Sequence, residues 1–205
     1  MTGQDRRREQ AENSRKRLLT VASKLFFKHG YQGVSINDIC AEAGLTKGAF
    51  YYHFESKDEL YRQLFTPRLD AYLDGHYALS PDACAQDRFL KLAECTFASC
   101  RELGKDLIAQ NLIALITSKA SNLYDGNRTH TRLLYEAIDA ALAEGSFRAR
   151  LSREGYVMLY SCLLNGFLIK WESADEQENW VDWDDLLRQE ISLLVERRSP
   201  AASHE

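Results

Sequence analysis

Proline is scarce in this chain, with three in 205 residues, and methionine scarcer, with two. So little proline leaves room for long unbroken helices. No run of about 18 apolar residues occurs, so no segment reads as a membrane span. The polar start, MTGQDRRREQAENSRKR, has no signal-peptide core. A cytoplasmic protein without membrane contact is expected. Strand-like alternation of apolar and polar residues is missing throughout, and no repeat period stands out. The fold class expected is all-α.

Catalytic signatures are missing too. There is no glycine-rich phosphate loop, no G-x-S-x-G and no pair of histidines at metal spacing. His29, His76, His130 and His204 are scattered. The five cysteines, Cys40, Cys84, Cys95, Cys100 and Cys162, form no C-x-x-C and no zinc-spaced cluster with histidine. Cys95 and Cys100 fall about 140° apart on a helix and share no face. No catalytic residue, metal site or cofactor is therefore expected, and an enzyme is excluded in favour of a binding protein.

Net charge is −4, which excludes a protein that coats nucleic acid indiscriminately. Its distribution is uneven. Residues 1–65 hold 11 Lys/Arg against 8 Asp/Glu, and the remaining 140 hold 15 against 22. A basic head on an acidic body suits local contact with phosphates, whose attraction is short-ranged in salt. Residues 1–13 read as a disordered basic arm and 199–205 as a disordered tail.

The most informative stretch is Ser35 to Lys57, SINDICAEAGLTKGAFYYHFESK. Ser35 caps a first helix, with Asp38 three residues on as a partial capping box. Ile36, Ile39, Cys40 and Ala43 recur at helical spacing, and Gly44 stops the helix. Thr46 caps a second helix, and Ser56 with Glu59 makes a full capping box for a third. Around the second helix, Ala49, Phe50, His53 and Phe54 share an apolar arc. Lys47, Gly48, Tyr51 and Tyr52 share the opposite one. A cation, two phenols and a gap without a side chain suit phosphate oxygens and base edges. Helix, glycine turn, helix is the helix-turn-helix arrangement.

The longer stretch VSINDICAEAGLTKGAFYYHFESKDELY resembles the DNA-binding signature of the tetracycline-repressor (TetR) family of bacterial transcription regulators. The matching residues are Gly30, Tyr31, Ile39, Ala43, Gly44, Lys47, Gly48, Tyr51, His53, Phe54 and Lys57. Ser35 departs where threonine is commoner, and Cys40 where alanine is usual. The resemblance implies a three-helix DNA-binding head on a larger helical body, about nine helices in all. It also implies that Thr46, Lys47 and Gly48 reach base edges of double-stranded operator DNA. Ser35, Tyr51, Tyr52, His53 and Lys57 are then expected on phosphates, although the helical arc turns His53 towards the core.

Ser14 to His29 reads as the first helix, with Leu18, Leu19, Ala22, Leu25 and Phe26 on one face. Residues 14–55 form the expected head and 56–75 a connecting helix, kinked or broken near Thr66 by Pro67. Residues 76–198 form the expected effector-binding and dimerisation body. Helices there are expected over Asp82–Leu103, Asp106–Ser118, Leu133–Ala143, Tyr156–Trp171 (started by Ser152 and Glu154) and Trp183–Arg197. A loop is expected over Asn122–Thr131, and Trp180 and Trp183 as anchors of an acidic loop.

By resemblance, the last two helices pair with their copies in a homodimer, and Leu163, Gly166, Phe167, Leu187, Ile191 and Leu194 are the interface candidates. The body is expected to enclose a small apolar or aromatic effector, with Phe97, Cys100, Leu112, Ile116, Tyr160 and Asn165 as its lining. The function expected is a repressor released from a palindromic operator by that effector. The alternative is a redox-sensing regulator that uses its free thiols.

Overall fold

The computed structural model describes residues 3–117, 128–147, 150–175 and 181–196. Within them lie nine helices: α1 (Gly3–His29), α2 (Ile36–Ala43), α3 (Lys47–His53), α4 (Lys57–His76), α5 (Ala85–Leu103), α6 (Lys105–Thr117), α7 (Thr129–Glu144), α8 (Arg153–Ser173) and α9 (Trp183–Leu194). The only β pairing among the described residues is one antiparallel bridge between Phe147 and Val195. The class is all-α, and the chain divides into two compact units.

The first unit joins Met1–Arg68 to Leu103–Ser118. Leu18, Phe26, Ile39, Phe50, Phe54 and Leu60 are its buried centre. Phe26, Tyr31 and Tyr61 add a ring cluster with centroids 5.1 to 5.9 Å apart, tilted or edge-on, the arrangement aromatic quadrupoles favour. Tyr61 Oη donates to the Leu107 carbonyl, which ties α6 to α4. Here the expected boundaries differ: α6 belongs with the head, because a core of three short helices buries too little surface and Leu107 extends it.

Local signals explain the turn. Ser35 Oγ accepts from the Asp38 amide and the Asp38 carboxylate accepts from the Ser35 amide, a complete capping box. Gly44 sits at φ +59°, and a Cβ there would lie 2.9 Å from Arg17 Nη2, so both backbone and space call for glycine. Thr46 Oγ1 accepts from the Ala49 amide. At α4 the box is rearranged. Ser56 Oγ accepts from the Glu59 amide, but Glu59 reaches back to the amide of Glu55 rather than of Ser56.

Two other expectations are corrected. The basic arm is helical: α1 begins at Gly3, since Gln4–Asn13 contains good helix formers and neither proline nor glycine. Pro67 does not break α4, which runs through it to His76.

The second unit joins Leu69–Glu102 to Lys119–Glu205. On α5, Phe97 meets Phe167 and Trp171 of α8 edge-on at 4.9 and 5.3 Å. Helix α9 runs antiparallel along α5: Arg101 pairs with Asp184, Glu94 with Arg188, and Gln86 Nε2 donates to the Val195 carbonyl. Exposed ion pairs of this kind set register more than they stabilise. Helix α7 starts at Thr129, four residues before the expected Leu133, and ends at Gly145 with φ +63°. Helix α9 stops at Leu194, because Val195 turns extended to bridge Phe147. Most of the expected 122–131 loop, Trp180 and the 199–205 tail lie outside the described residues.

The α9 stripe expected at a dimer interface is already used. Leu187, Ile191 and Leu194 are buried within their own chain, as is Phe167. Periodicity marked their common face correctly, but α5 and α8 cover it. Ile191→Asp should therefore place an uncompensated charge in the core and cost about 3–5 kcal/mol. Urea titration should find a protein largely unfolded rather than a folded monomer. Ser35→Ala, which removes one cap, should cost about 1 kcal/mol by the same assay.

Candidate nucleic-acid interface

Helix α3 presents one side to the first unit's core and the other to solvent. Phe50 is fully buried, and Phe54 follows as the buried C-cap. On the outer side Lys47 and Gly48 are exposed, and Tyr51 and Tyr52 are 56% and 76% exposed. Large aromatic rings this open to water are unusual beside a packed core. The Tyr51 ring lies edge-on to buried Phe50 at 5.4 Å, which anchors its base while the phenol points out. Gly48 has no positive φ, and a Cβ built there meets only Thr46 Oγ1, at an ordinary 3.7 Å. Nothing inside the protein requires glycine at that position.

Three of the candidate phosphate ligands have internal duties instead. Ser35 Oγ caps α2 and donates to Asp38 Oδ2 at 2.6 Å. His53 turns to α1: its Nε2 lies 2.6 Å from Ser14 Oγ, whose own proton goes to the Ala11 carbonyl at 2.8 Å. The imidazole is therefore the donor. Desolvation first, and the Arg15 charge second, lower its pKa. Lys57 is the sharpest case. Its Nζ donates to the carbonyls of Tyr31 and Val34 at 3.0 and 2.9 Å and lies 4.0 Å from the centroid of the Tyr31 ring. Desolvation lowers its pKa against the opposing pull of Asp58. Lys57 closes the loop between α1 and α2.

Sequence reasoning missed the partners of these groups. Ser14 holds His53, Arg15 Nη2 donates to Gln63, and the Tyr31 hydroxyl donates to Asp58. Only the nomination of His53 as a core-side residue hinted at such a contact.

The candidate effector residues do not gather in one unit. Phe97, Cys100 and Tyr160 are buried in the second unit, with Asn165 half-buried there. Leu112 and Ile116 lie on α6 in the first, where Leu112 is buried and the side chain of Ile116 lies outside the described residues. Of the dimer candidates, Gly166 is exposed and Leu163 half-buried. The exposed apolar residues of α8 and α9 are instead Met158, Ile169, Leu186 and Leu193. No group of three or more metal-type ligands occurs among the described residues. No described helix is long and apolar enough to cross a membrane.

A capped helix-turn-helix with a polar, aromatic outer arc defines a DNA-binding transcription regulator. Residues 18–64 match the family model described as bacterial regulatory proteins, tetR family. An uncharacterized HTH-type regulator in the lacX 3' region of Lactococcus lactis subsp. lactis is 49% identical over 47 residues, 23% of this chain and 24% of that one. The regulator AcrR of Shigella flexneri is 22% identical over 218 residues, 96% of this chain and 97% of its own. A TetR-family regulator of Pectobacterium atrosepticum has the same fold at a TM-score of 0.63, with 20% identity over 93% of this chain and 99% of that one. The chain belongs to the TetR family, whose members act by binding DNA and not by catalysis.

Two consequences can be measured. Lys57→Met should leave two carbonyls without a charged donor and cost about 2 kcal/mol in urea unfolding. In the second unit, desolvation, helped by the Arg128 charge, holds the His130 pKa down at about 4 against an ordinary 6.5. Between those values the unfolded chain binds the extra proton, so this contribution to stability is lost as pH falls from 6.5 towards 4. Thermal midpoints across that window should fall less steeply in His130→Gln than in the wild type.

Proposed function

We propose that the chain is a homodimeric repressor whose α3 helices enter successive major grooves of a near-palindromic operator, and that a small effector in the second unit releases it. One observation carries the DNA reading. The outward arc of α3 combines a free cation and two exposed phenols with a glycine that the fold does not need. Glycine inside a helix costs about 1 kcal/mol relative to alanine. A helix backbone left bare beside Lys47 gives a base edge or phosphate room to approach. Thr46, Lys47 and Gly48 are then the base-side residues, and Tyr51 and Tyr52 the phosphate-side ones. Ser35, His53 and Lys57 support them by holding the helices in place.

A second copy of the chain fits the outer faces of α8 and α9. Met158 and Leu193 are 59% and 70% exposed, and Cys162 and Gly166 open the same helix α8 to close approach. Exposed apolar residues on paired helices are what a four-helix interface buries. The thiol reading has less support. Burial raises the pKa of Cys40, Cys95 and Cys100, the last to about 12, which leaves little reactive thiolate at neutral pH. Of the five thiols, Cys162 alone is exposed.

Gly48→Ala separates folding from DNA binding. Its stability should rise by up to about 1 kcal/mol, while its affinity for duplex DNA, read by fluorescence anisotropy, should fall. Unchanged affinity in Gly48→Ala would reject the reading of α3. Lys47→Ala should reduce the slope of log affinity against log salt by about one, whereas Lys57→Met should leave that slope unchanged in the fraction that is folded. Leu193→Asp should stay folded yet sediment as a monomer. A wild type that is itself monomeric at micromolar concentration would refute the dimer.

A further inference from the structure

The second unit contains polar groups that its own packing leaves unanswered. Tyr160, on α8, has no exposed surface, and its hydroxyl has no hydrogen-bond partner. Thr131, in the first turn of α7, is 1% exposed, and its hydroxyl is also unpaired. The Tyr160 ring lies 5.7 Å from Phe89 of α5 and 6.3 Å from the imidazole of His130, the neighbour of Thr131. Buried hydroxyls without partners are rare in folded proteins, because each costs the desolvation of a polar group. Two on facing helices, beside a buried imidazole, form a polar centre inside an apolar shell. That is the anatomy of a small-molecule site.

Charge decides what kind of molecule it suits. The groups that act on the Tyr160 phenol are Tyr77 and Cys95, both neutral. His130 is kept neutral by its burial and by Arg128. The guanidinium of Arg128 is paired with Asp70 at 3.5 Å. Arg88 also has an unpaired buried Nε, but it meets Tyr77 through its carbonyl, which accepts from the phenol at 3.5 Å. An ion brought to the Tyr160 hydroxyl would lose its hydration and find no counter-charge among these neighbours.

We propose that the second unit binds an uncharged, largely apolar effector whose carbonyl or hydroxyl oxygen hydrogen-bonds to Tyr160 Oη, with Thr131 and His130 as the adjoining polar contacts. This rests on the effector reading above and names its site and ligand class. The contacts come from α5, α7 and α8. Of the residues first nominated only Tyr160 is central to it, while Leu112 and Ile116 have no part.

The test uses the full-length protein and a set of matched fragments: acetophenones, benzamides and phenols against the corresponding benzoates. Thermal shift finds binders, and calorimetry measures them in wild type, Tyr160→Phe, Thr131→Val and Arg88→Ala. Uncharged fragments should bind, and Tyr160→Phe should weaken them about tenfold, the worth of one hydrogen bond. Without ligand, Tyr160→Phe should keep its melting temperature or gain about 1–3 °C, because it removes an unpaired hydroxyl. Four results would each overturn the proposal. They are the absence of any binder, binding of benzoates alone with loss in Arg88→Ala, unchanged affinity in Tyr160→Phe, and a lowered melting temperature in ligand-free Tyr160→Phe. DNA affinity of the same ligand-free samples is measured in parallel. Its absence in the wild type would refute the regulator reading and leave the binding result standing.

Discussion

The first unit depends on the meeting of Phe26, Tyr31 and Tyr61 under the Lys57 ammonium. Tyr31 sits in the loop between α1 and α2, and Lys57 opens α4. The ammonium satisfies two loop carbonyls and faces the Tyr31 ring, so one residue joins loop geometry to helix packing. Tyr61 carries the cluster on to α6 through the Leu107 carbonyl. Without it, α2 and α3 would rest on α1 alone, and a core that small is marginal. The orientation of α3 depends on the same contacts.

This arrangement divides labour between residues that look alike in composition. Lys47 and Lys57 are both cations in the motif, but one is exposed and the other is engaged by carbonyls and a ring. Tyr51, Tyr52 and Tyr61 are all phenols, but only Tyr61 spends its hydroxyl inside. A protein that must grip DNA needs rigid elements behind an open surface. Here the internal hydrogen bonds of Ser35, His53 and Lys57 supply the rigidity, and the outer arc of α3 stays free. Helix α4 belongs to both units along its length, so a change in the second unit has a covalent path to the first.

Much of the head was legible in the sequence because its signals are local. Ser35, Gly44 and Thr46 act within four residues of themselves, and the split of α3 into two arcs follows from 3.6-residue periodicity. What stayed hidden depends on partners far along the chain. Periodicity put Leu187, Ile191 and Leu194 on one face but could not say that α5 and α8 of the same chain cover it. Nor could spacing reveal that Lys57 folds back 26 residues to Tyr31, that Ser14 receives His53, or that α6 joins the head. The N-terminal arm was misjudged for another reason: charge density was read as disorder, although Gln4–Asn13 is free of helix breakers. The unpaired hydroxyls of Tyr160 and Thr131 could not be read from the sequence at all, since an unmet hydrogen bond exists only in three dimensions.

The central claim is that the outer arc of α3, carried twice by a dimer, reads duplex DNA. Selection of bound duplexes from a random pool by the purified wild-type chain, followed by sequencing, tests it most directly. The account predicts enrichment of a near-palindrome whose half-sites lie about one helical turn or somewhat more apart, ~34 Å or beyond. A pool that stays random, or one that yields a single unpaired half-site, would contradict it.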